Sequence, residues 1–499
     1  MEPAPAQSSV AKAMILVTVS VCTMLYALTV TIVNVALPQL QGALSATPDQ
    51  IARVVTLNVV ATAVVTPMTG WLVGRLGERP LLLWAISGFA VSTLLCASAT
   101  SLETLLLYRV AQGAFGAPIV PLSQSILLVN FTGKDRAMAQ GFFGMTVVVG
   151  PAVGPALGGY FAEAHDWRWV FYLIVPLCVV AFLLVVTFIK RVPKERSAKL
   201  DWTGFIALSF AIICLQLLVD RGERLDWFAS REIVFCAFGA ALGLYLFIVH
   251  TATSDAPFLN PQIFKDRNFA VGLVLVFVYG MLNFTPITLL PPLLHNLKGY
   301  PDSLIGLLLA MRGLGMVIGF FTAGRLGWVD PRITFFVGMV LNGYSGLLMA
   351  AFNVNVSPEA VATAGVIQGI GSGLMWVPLV VMSFATLEEK FMAESSSIFH
   401  LLRNFGTSLF ISLSFMVVVR TSRINYAEMA ENISPYKESL RLPEITGAWD
   451  METVEGLASI GREVDRQSQM IGYDNAFYMY AIVCFASLPL LLLVRVKRA

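Results

Sequence analysis

The sequence predicts an all-α integral membrane protein of about fourteen transmembrane helices in two similar halves. Three observations predict it: a scarcity of charge, the length of the apolar blocks, and an internal repeat. Of the 499 residues, 57% are hydrophobic and only 13% are charged, against about 25% charged in a soluble globular chain. Mean hydropathy is +0.75. The charge deficit falls in long blocks, as required of chain that crosses a bilayer where backbone groups find no water. A net charge of +2 carries no message about nucleic acid.

A window of about 19 residues places apolar blocks near 14–37, 52–72, 80–99, 103–128, 138–162, 169–189, 203–221, 231–250, 268–293, 302–326, 333–352, 358–385, 398–419 and 475–496. The first is too long for a signal-peptide core and reads as a retained span. Most connections are short, so neighbours run antiparallel. Residues 420–474 are the exception: polar, mixed in charge and partly helical in pattern. Cys22, Cys96, Cys178, Cys214, Cys236 and Cys484 all lie in apolar blocks. They read as small buried hydrophobes, not as metal ligands or disulfides.

The basic residues set the orientation. With the N-terminus in the cytoplasm, the inner segments hold Lys12, Arg75, Arg79, Lys134, Arg136, Lys190, Arg191, Lys194, Arg196, Lys199, Lys265, Arg267, Arg325, Arg332, Lys390, Arg495, Lys497 and Arg498. The short outer loops hold Arg168, Arg221, Arg224, Arg231 and Lys298. Both termini are therefore expected in the cytoplasm, and the 420–474 loop outside.

Two motifs recur in the same order. Gly74-Arg75-Leu76-Gly77 returns as Gly324-Arg325-Leu326-Gly327, and QGAFGAPIVPL from Gln112 is echoed by QGIGSGLMWVPL from Gln368. Two matches in register, each offset by roughly 250 residues, argue for duplication. The expected organisation is a six-helix bundle over 1–190, two inserted helices with cytoplasmic linkers over 191–260, and a second six-helix bundle over 261–499.

The fifth span carries Gly150-Pro151, Gly154-Pro155 and Gly158. Small residues four apart let helices approach closely, and the prolines remove backbone donors and bend that face. A domain-interface helix is expected. Aspartate and glutamate are confined to span ends (Glu103, Asp220, Glu232, Asp302, Glu359, Asp474), whereas Arg109, Arg312 and Arg403 lie within spans and Arg53 nearer an edge. An unpaired charge at the bilayer centre costs at least about 2.5–3.5 kcal/mol, so these arginines should face a partner or a wet cavity; Arg53 should snorkel. Two readings stand for the others: packing against helix carbonyls, or attraction of an anionic or zwitterionic substrate. His400 lies well inside a span, where it could carry a proton or serve polar packing.

These motifs resemble the major facilitator superfamily, in its fourteen-span drug:proton antiporter branch (EmrB/QacA-like). The matching segments are TIVNVALP (Thr31 to Pro38), the GPAVGPALGG run, WRWVFYLIVP (Trp167 to Pro176), LDWTG (Leu200 to Gly204), LVDRGERLDWF (Leu218 to Phe228), IFKDRNFAVG (Ile263 to Gly272), LLRNFG (Leu401 to Gly406) and RQSQMIGYDNAF (Arg466 to Phe477). The resemblance implies multidrug efflux across a bacterial inner membrane, coupled to proton influx. It also implies a periplasmic adaptor and an outer-membrane channel as partners in Gram-negative cells, with 420–474 as docking surface or as lid. The cavity would be lined by Thr29, Asn34, Asn58, Arg109, Gln112, Tyr279, Asn283, Gln368, Trp376 and Asn404. Coupling and gating would fall to Arg109, Arg312, His400, Arg403, Arg75, Gly150, Pro151, Gly154, Pro155 and Gly158.

The chain departs from the branch in two places. Thr29 stands where an aspartate is usual, and Gly74 where one is frequent. Threonine cannot titrate, so an exporter dedicated to one metabolite, such as an anionic siderophore or organic acid, stands as the alternative. A non-transporting membrane sensor is a third reading. No metal cluster, nucleophile constellation or Walker loop is legible, so neither a cofactor nor an enzyme is expected.

Overall fold

The structure, a computed structural model, describes residues 9–190, 200–434 and 453–495, with positions 436, 449 and 451 between them. Arg191, Lys194, Arg196, Lys199, Lys497, Arg498 and most of 435–452 lie outside. The first half contains α1 (Ser9–Ala43), α2 (Pro48–Val65), α3 (Met68–Leu76), α4 (Glu78–Ala97), α5 (Leu102–Gly116), α6 (Ile119–Asn130), α7 (Gly133–Ala164), α8 (Trp169–Tyr172) and α9 (Ile174–Phe188). An inserted pair follows, α10 (Trp202–Arg221) and α11 (Arg231–Thr253). The second half holds α12 (Gln262–Lys265), α13 (Arg267–Pro292), α14 (Asp302–Arg325), α15 (Pro331–Met349), α16 (Pro358–Ser383), α17 (Met392–Glu431) and α18 (Val454–Ala486).

Local chemistry explains many boundaries. Thr47 with Gln50, and Ser101 with Thr104, form reciprocal caps at the starts of α2 and α5, satisfying amides that have no partner within the helix. Asp201, Asp266 and Ser357 cap α10, α13 and α16. Gly77, at φ +88°, makes the turn from α3 to α4, a conformation that side chains with a Cβ resist.

Among the described residues, twelve helices are long and apolar enough to cross a membrane, or thirteen when the pair α2–α3, bent by 57°, counts as one. The one remaining block, 138–162, falls inside the 32-residue α7, consistent with about fourteen crossings.

The halves meet at one end of the molecule. A Cβ on Gly141 would lie 2.7 Å from the Phe320 carbonyl oxygen, and one on Gly144 would strike the Phe320 ring. Nearby, Gly70 abuts Glu394, whose Cβ would lie 2.7 Å away, and Ser396 Oγ donates to the Pro121 carbonyl at 2.9 Å. Further along α14 the helices part: a Cβ on Gly313 would reach only Val148, at 4.0 Å, and one on Gly306 would meet nothing within 4 Å. The closed end also carries the start of α1, which runs parallel to α7, and the C-terminal residues, where Asn268 bonds Arg495.

The same end is studded with arginines that cap helix C-termini. Arg136 donates to the Leu128 and Phe131 carbonyls, Arg79 to Val186, Arg267 to Leu493 and Arg332 to Val494. Cations there meet both unsatisfied carbonyls and the negative pole of the helix. Asp201 organises the inserted pair: Gly204 N, Phe258 N and His250 Nε2 all lie within 3.1 Å of its carboxylate. Burial alone would raise its pKa, but these donors outweigh it and hold the carboxyl below the usual carboxylate range.

The Gly150–Gly154–Gly158 stripe corrects one expectation. α7 does lie at the domain interface, yet the stripe faces α1 of its own half: a Cβ at Gly150 would be 2.9 Å from Leu28 N, and one at Gly158 would be 2.8 Å from Ile32 Cγ1. Gly141 and Gly144, one face away, make the crossing contact.

Gly280 packs against the Arg403 carbonyl, whose carbon would be 2.9 Å from an added Cβ. Gly280→Val should lower stability by about 1–3 kcal/mol, the usual cost of overpacking, read as an earlier thermal transition in detergent. Gly306→Val should leave the transition in place. For Asp201, the stabilisation is present above the carboxyl's unfolded pKa and is lost as pH falls through its lower folded value. Asp201→Ala should accordingly destabilise at neutral pH and converge with wild type in acid.

Candidate functional site

Each half buries one guanidinium against the glutamine of its repeated QG motif. In the first half Arg109 on α5 is 2% exposed. Its Nε donates to the Val54 carbonyl at 3.1 Å, and its NH1 to Gln112 Oε1, one turn along the helix. Gln112 Nε2 passes the chain on to Thr93 Oγ1 at 2.7 Å. Asn58 Nδ2 donates to the Arg109 carbonyl at 2.9 Å, and Thr62 Oγ1 to the Gly113 carbonyl at 3.2 Å. Helices α2, α4 and α5 are thereby tied together.

In the second half the guanidinium comes from a different helix. Arg312 on α14 sends Nε to Gln368 Oε1 at 2.5 Å, and NH2 to the Asn283 carbonyl and Oδ1 at 2.5 and 3.2 Å. Gln368 Nε2 donates to Ser372 Oγ and to Tyr480 OH, and both hydroxyls converge on Asn342 Oδ1 at 3.1 and 2.8 Å. At the 250-residue offset of the glycine motif, Arg312 aligns with Thr62 and not with Arg109, whereas each network draws on the glutamine of a QG motif.

Both networks lack a carboxylate. Among the described residues, the ion pairs lie away from these networks, as with Arg168 and Asp166, Arg221 and Glu232, and Arg466 and Glu463. Neutral acceptors answer Arg109 and Arg312, which favours a packing role for these two.

Arg403 differs. It is only partly buried, its Nε and NH2 reach a single side chain, Asn404 Oδ1 at 3.3 and 3.0 Å, and its guanidinium lies 5.6 Å over the Trp376 ring. Trp376 stands 5.1 Å from the Tyr279 ring and 6.0 Å from His400. Arg403, Asn404, Trp376 and Tyr279 form a cationic corner with buried aromatic walls, between the halves and above their closed end. A cation over an aromatic face retains donors for a further anion.

The other expected residues fall around this core. Thr29 is buried and bonds back to the Leu25 carbonyl at 2.8 Å. Asn34 is exposed five residues further along α1. Arg53 is exposed at the start of α2, and Arg75 lies over the Trp71 ring at 5.3 Å. Pro151 is half-buried. His400 Nε2 lies 2.6 Å from Gln124 Oε1, a bond that crosses from one half to the other. The sequence reading missed Thr62, Thr93, Gln124, Asn342, Ser372 and Tyr480. A polar residue inside an apolar block was the available signal, but hydroxyls in spans are too common to single these out.

Comparison with known proteins agrees with this architecture. The family model described as Major Facilitator Superfamily matches residues 19–411. The chain is 31% identical to the multidrug export protein EmrB of Haemophilus influenzae, over 94% of this chain and 93% of that one. It is 31% identical to EmrB of Escherichia coli K12 (93% and 92% coverage), and 30% identical to the fatty acid resistance protein FarB of Neisseria gonorrhoeae, again with 93% and 92% coverage. Among solved structures, the human organic anion transporter MFSD10 superposes with a TM-score of 0.64 at 14% identity, over 97% of this chain and all of that one.

Removing Arg312 strands Gln368 and Asn283, and a buried acceptor left unmet costs about 1–3 kcal/mol. Arg312→Met should therefore lower thermal stability more than Arg403→Met, compared by melting the two purified variants side by side.

Proposed function

This chain belongs to the Major Facilitator Superfamily, in the branch of the EmrB multidrug export proteins, and from that premise we propose that it exports small amphipathic compounds by proton antiport. The proposed setting is a bacterial inner membrane, with both termini in the cytoplasm. The closed end is then cytoplasmic and the splayed end faces outward, the arrangement of an exporter poised to release its load. Two halves related by duplication suit rocking about a central site.

The observation that carries the reading is the corner of Arg403, Asn404, Trp376 and Tyr279. Aromatic walls accept apolar bodies of varied shape, while a guanidinium with few partners supplies a polar anchor. The excess of positive charge favours anionic amphiphiles such as carboxylates, and a relative is named for fatty-acid resistance. A dedicated exporter of one anionic metabolite is the narrower form of the same reading.

The outer segment 420–474 supports an adaptor. α17 is 40 residues long and α18 is 33, about 60 and 50 Å at 1.5 Å per residue, against a hydrocarbon core of about 30 Å. Gly472 packs on Ser422 and Val418, so the two helices continue together beyond the apolar region as a hairpin. That hairpin is the proposed docking surface for a periplasmic adaptor and, through it, an outer-membrane channel.

Everted vesicles test the proposal. Uptake of a labelled lipophilic carboxylate should follow an imposed proton gradient and collapse with a protonophore. Arg403→Gln should depress that uptake by about tenfold or more, the scale of one lost charged contact, while a cationic dye is affected less. Gradient-independent uptake would remove the antiport mechanism.

A further inference from the structure

Among the described residues, the seam between the halves holds buried polar atoms with no protein partner. On α6 this is Gln124 Nε2, and on α17 it is His400 Nδ1. Buried polar atoms in proteins are nearly always hydrogen-bonded, to protein or to ordered water. Two facing helices that each leave such atoms unmet mark a place built to separate. Within this seam His400, 2% exposed, makes one hydrogen bond, and that bond spans the two halves.

We propose that His400 is the proton-accepting latch of the closed end, shut on Gln124 when neutral and, once protonated, drawn open by the hydration of a charge that the closed seam cannot solvate. This rests on the antiport reading above and names the residue that carries the proton in a chain with Thr29 in its first span. With Gln124 Oε1 as acceptor, Nε2 carries the hydrogen and Nδ1 presents its lone pair to the seam. A proton arriving from the chamber bonds to Nδ1, and no other bond need break in the protein. The resulting imidazolium has a second donor with no acceptor beside it.

The charges around it oppose that state. Arg403 on α17 is one turn away and like in sign. Tyr279 on α13 and Tyr26 on α1 stand beyond Arg403, α16 offers Trp376, and α6 offers neutral Gln124. On the remaining helices packed against α17, Arg75 of α3 is exposed over Trp71, Asp220 of α10 is bound to Thr56, and Tyr480 of α18 belongs to the Gln368 network. Glu394, the carboxylate at the start of α17, accepts from the Asn260 amide. Among the described residues, no carboxylate faces the ring to hold a proton on it. Parting the halves at this end admits water to the imidazolium, so protonation favours the inward-opening state, and proton loss to the cytoplasm re-forms the bond. Each cycle carries one proton inward against one outward passage of substrate.

The test follows the width of the closed end against pH. The six native cysteines are buried, so spin labels go to Thr132→Cys and Trp328→Cys, at exposed positions on opposite halves. In wild type the ratio of open to closed populations should rise at least about tenfold from pH 8 to pH 5, a span that brackets histidine titration. His400→Gln retains a hydrogen-bonding side chain but cannot titrate, and should hold the pH 8 distance throughout, which also certifies its fold. Gln124→Glu gives the imidazolium a counter-charge and should keep the end closed in acid. Acid opening of His400→Gln equal to wild type overturns the latch. Vesicle flux separates the two proposals. Proton-driven uptake that persists in His400→Gln sinks the latch and leaves export standing. Absence of such uptake in wild type, with the pH response of the labels intact, sinks export and leaves the latch.

Discussion

A guanidinium inside a bilayer with no carboxylate to answer it must collect neutral acceptors, and the helix arrangement follows from where those acceptors can be found. Arg109 draws α2 and α5 together through the Val54 carbonyl and Gln112, and Thr93 of α4 completes the chain. Arg312 draws α13, α14 and α16 together through Asn283 and Gln368, and α15 and α18 follow through Asn342 and Tyr480. Each bundle is thus organised around one buried cation. In lipid the apolar contacts between helices give no hydrophobic gain, so packing and such polar bonds supply the association.

Close packing of small residues supplies the rest, and it is graded along the molecule. α1 and α7 touch through Gly150, Gly154 and Gly158, which fixes the first bundle internally. The contact between bundles uses Gly141 and Gly144 against Phe320, then lapses by Gly313. An interface that is tight at one end and open at the other leaves the halves free to part along much of their length. The capping arginines at the closed end belong to single bundles, as with Arg136 of α7 capping α6 and Arg332 of α15 capping the C-terminal segment, so the ends can separate without losing their caps.

Satisfied and unsatisfied polar groups divide the labour. Arg109, Arg312, Gln112 and Gln368 are held by several partners each, the condition of a rigid frame. Arg403 keeps one side-chain acceptor and an aromatic face, and His400 one bond across the seam. The groups with spare hydrogen-bonding capacity stand between the bundles, where substrate, water or proton would have to act.

The sequence by itself determined the membrane class and the approximate number of spans, because hydropathy is a local property, and its repeated glycine motifs pointed to two halves. It also flagged Arg109, Arg312, Arg403 and His400, since a charge or imidazole in an apolar block is conspicuous. It could not tell that Arg109 and Arg312 each meet several acceptors and Arg403 one side chain, nor see that Gln124 meets His400, 276 residues away. It marked the helix of Gly150 for the domain interface but not that Gly141 and Gly144, on another face from the stripe, make the crossing contact. Those outcomes depend on which side of each helix meets which neighbour. That azimuth is set by the packing of all the helices at once, and no stretch of chain contains it.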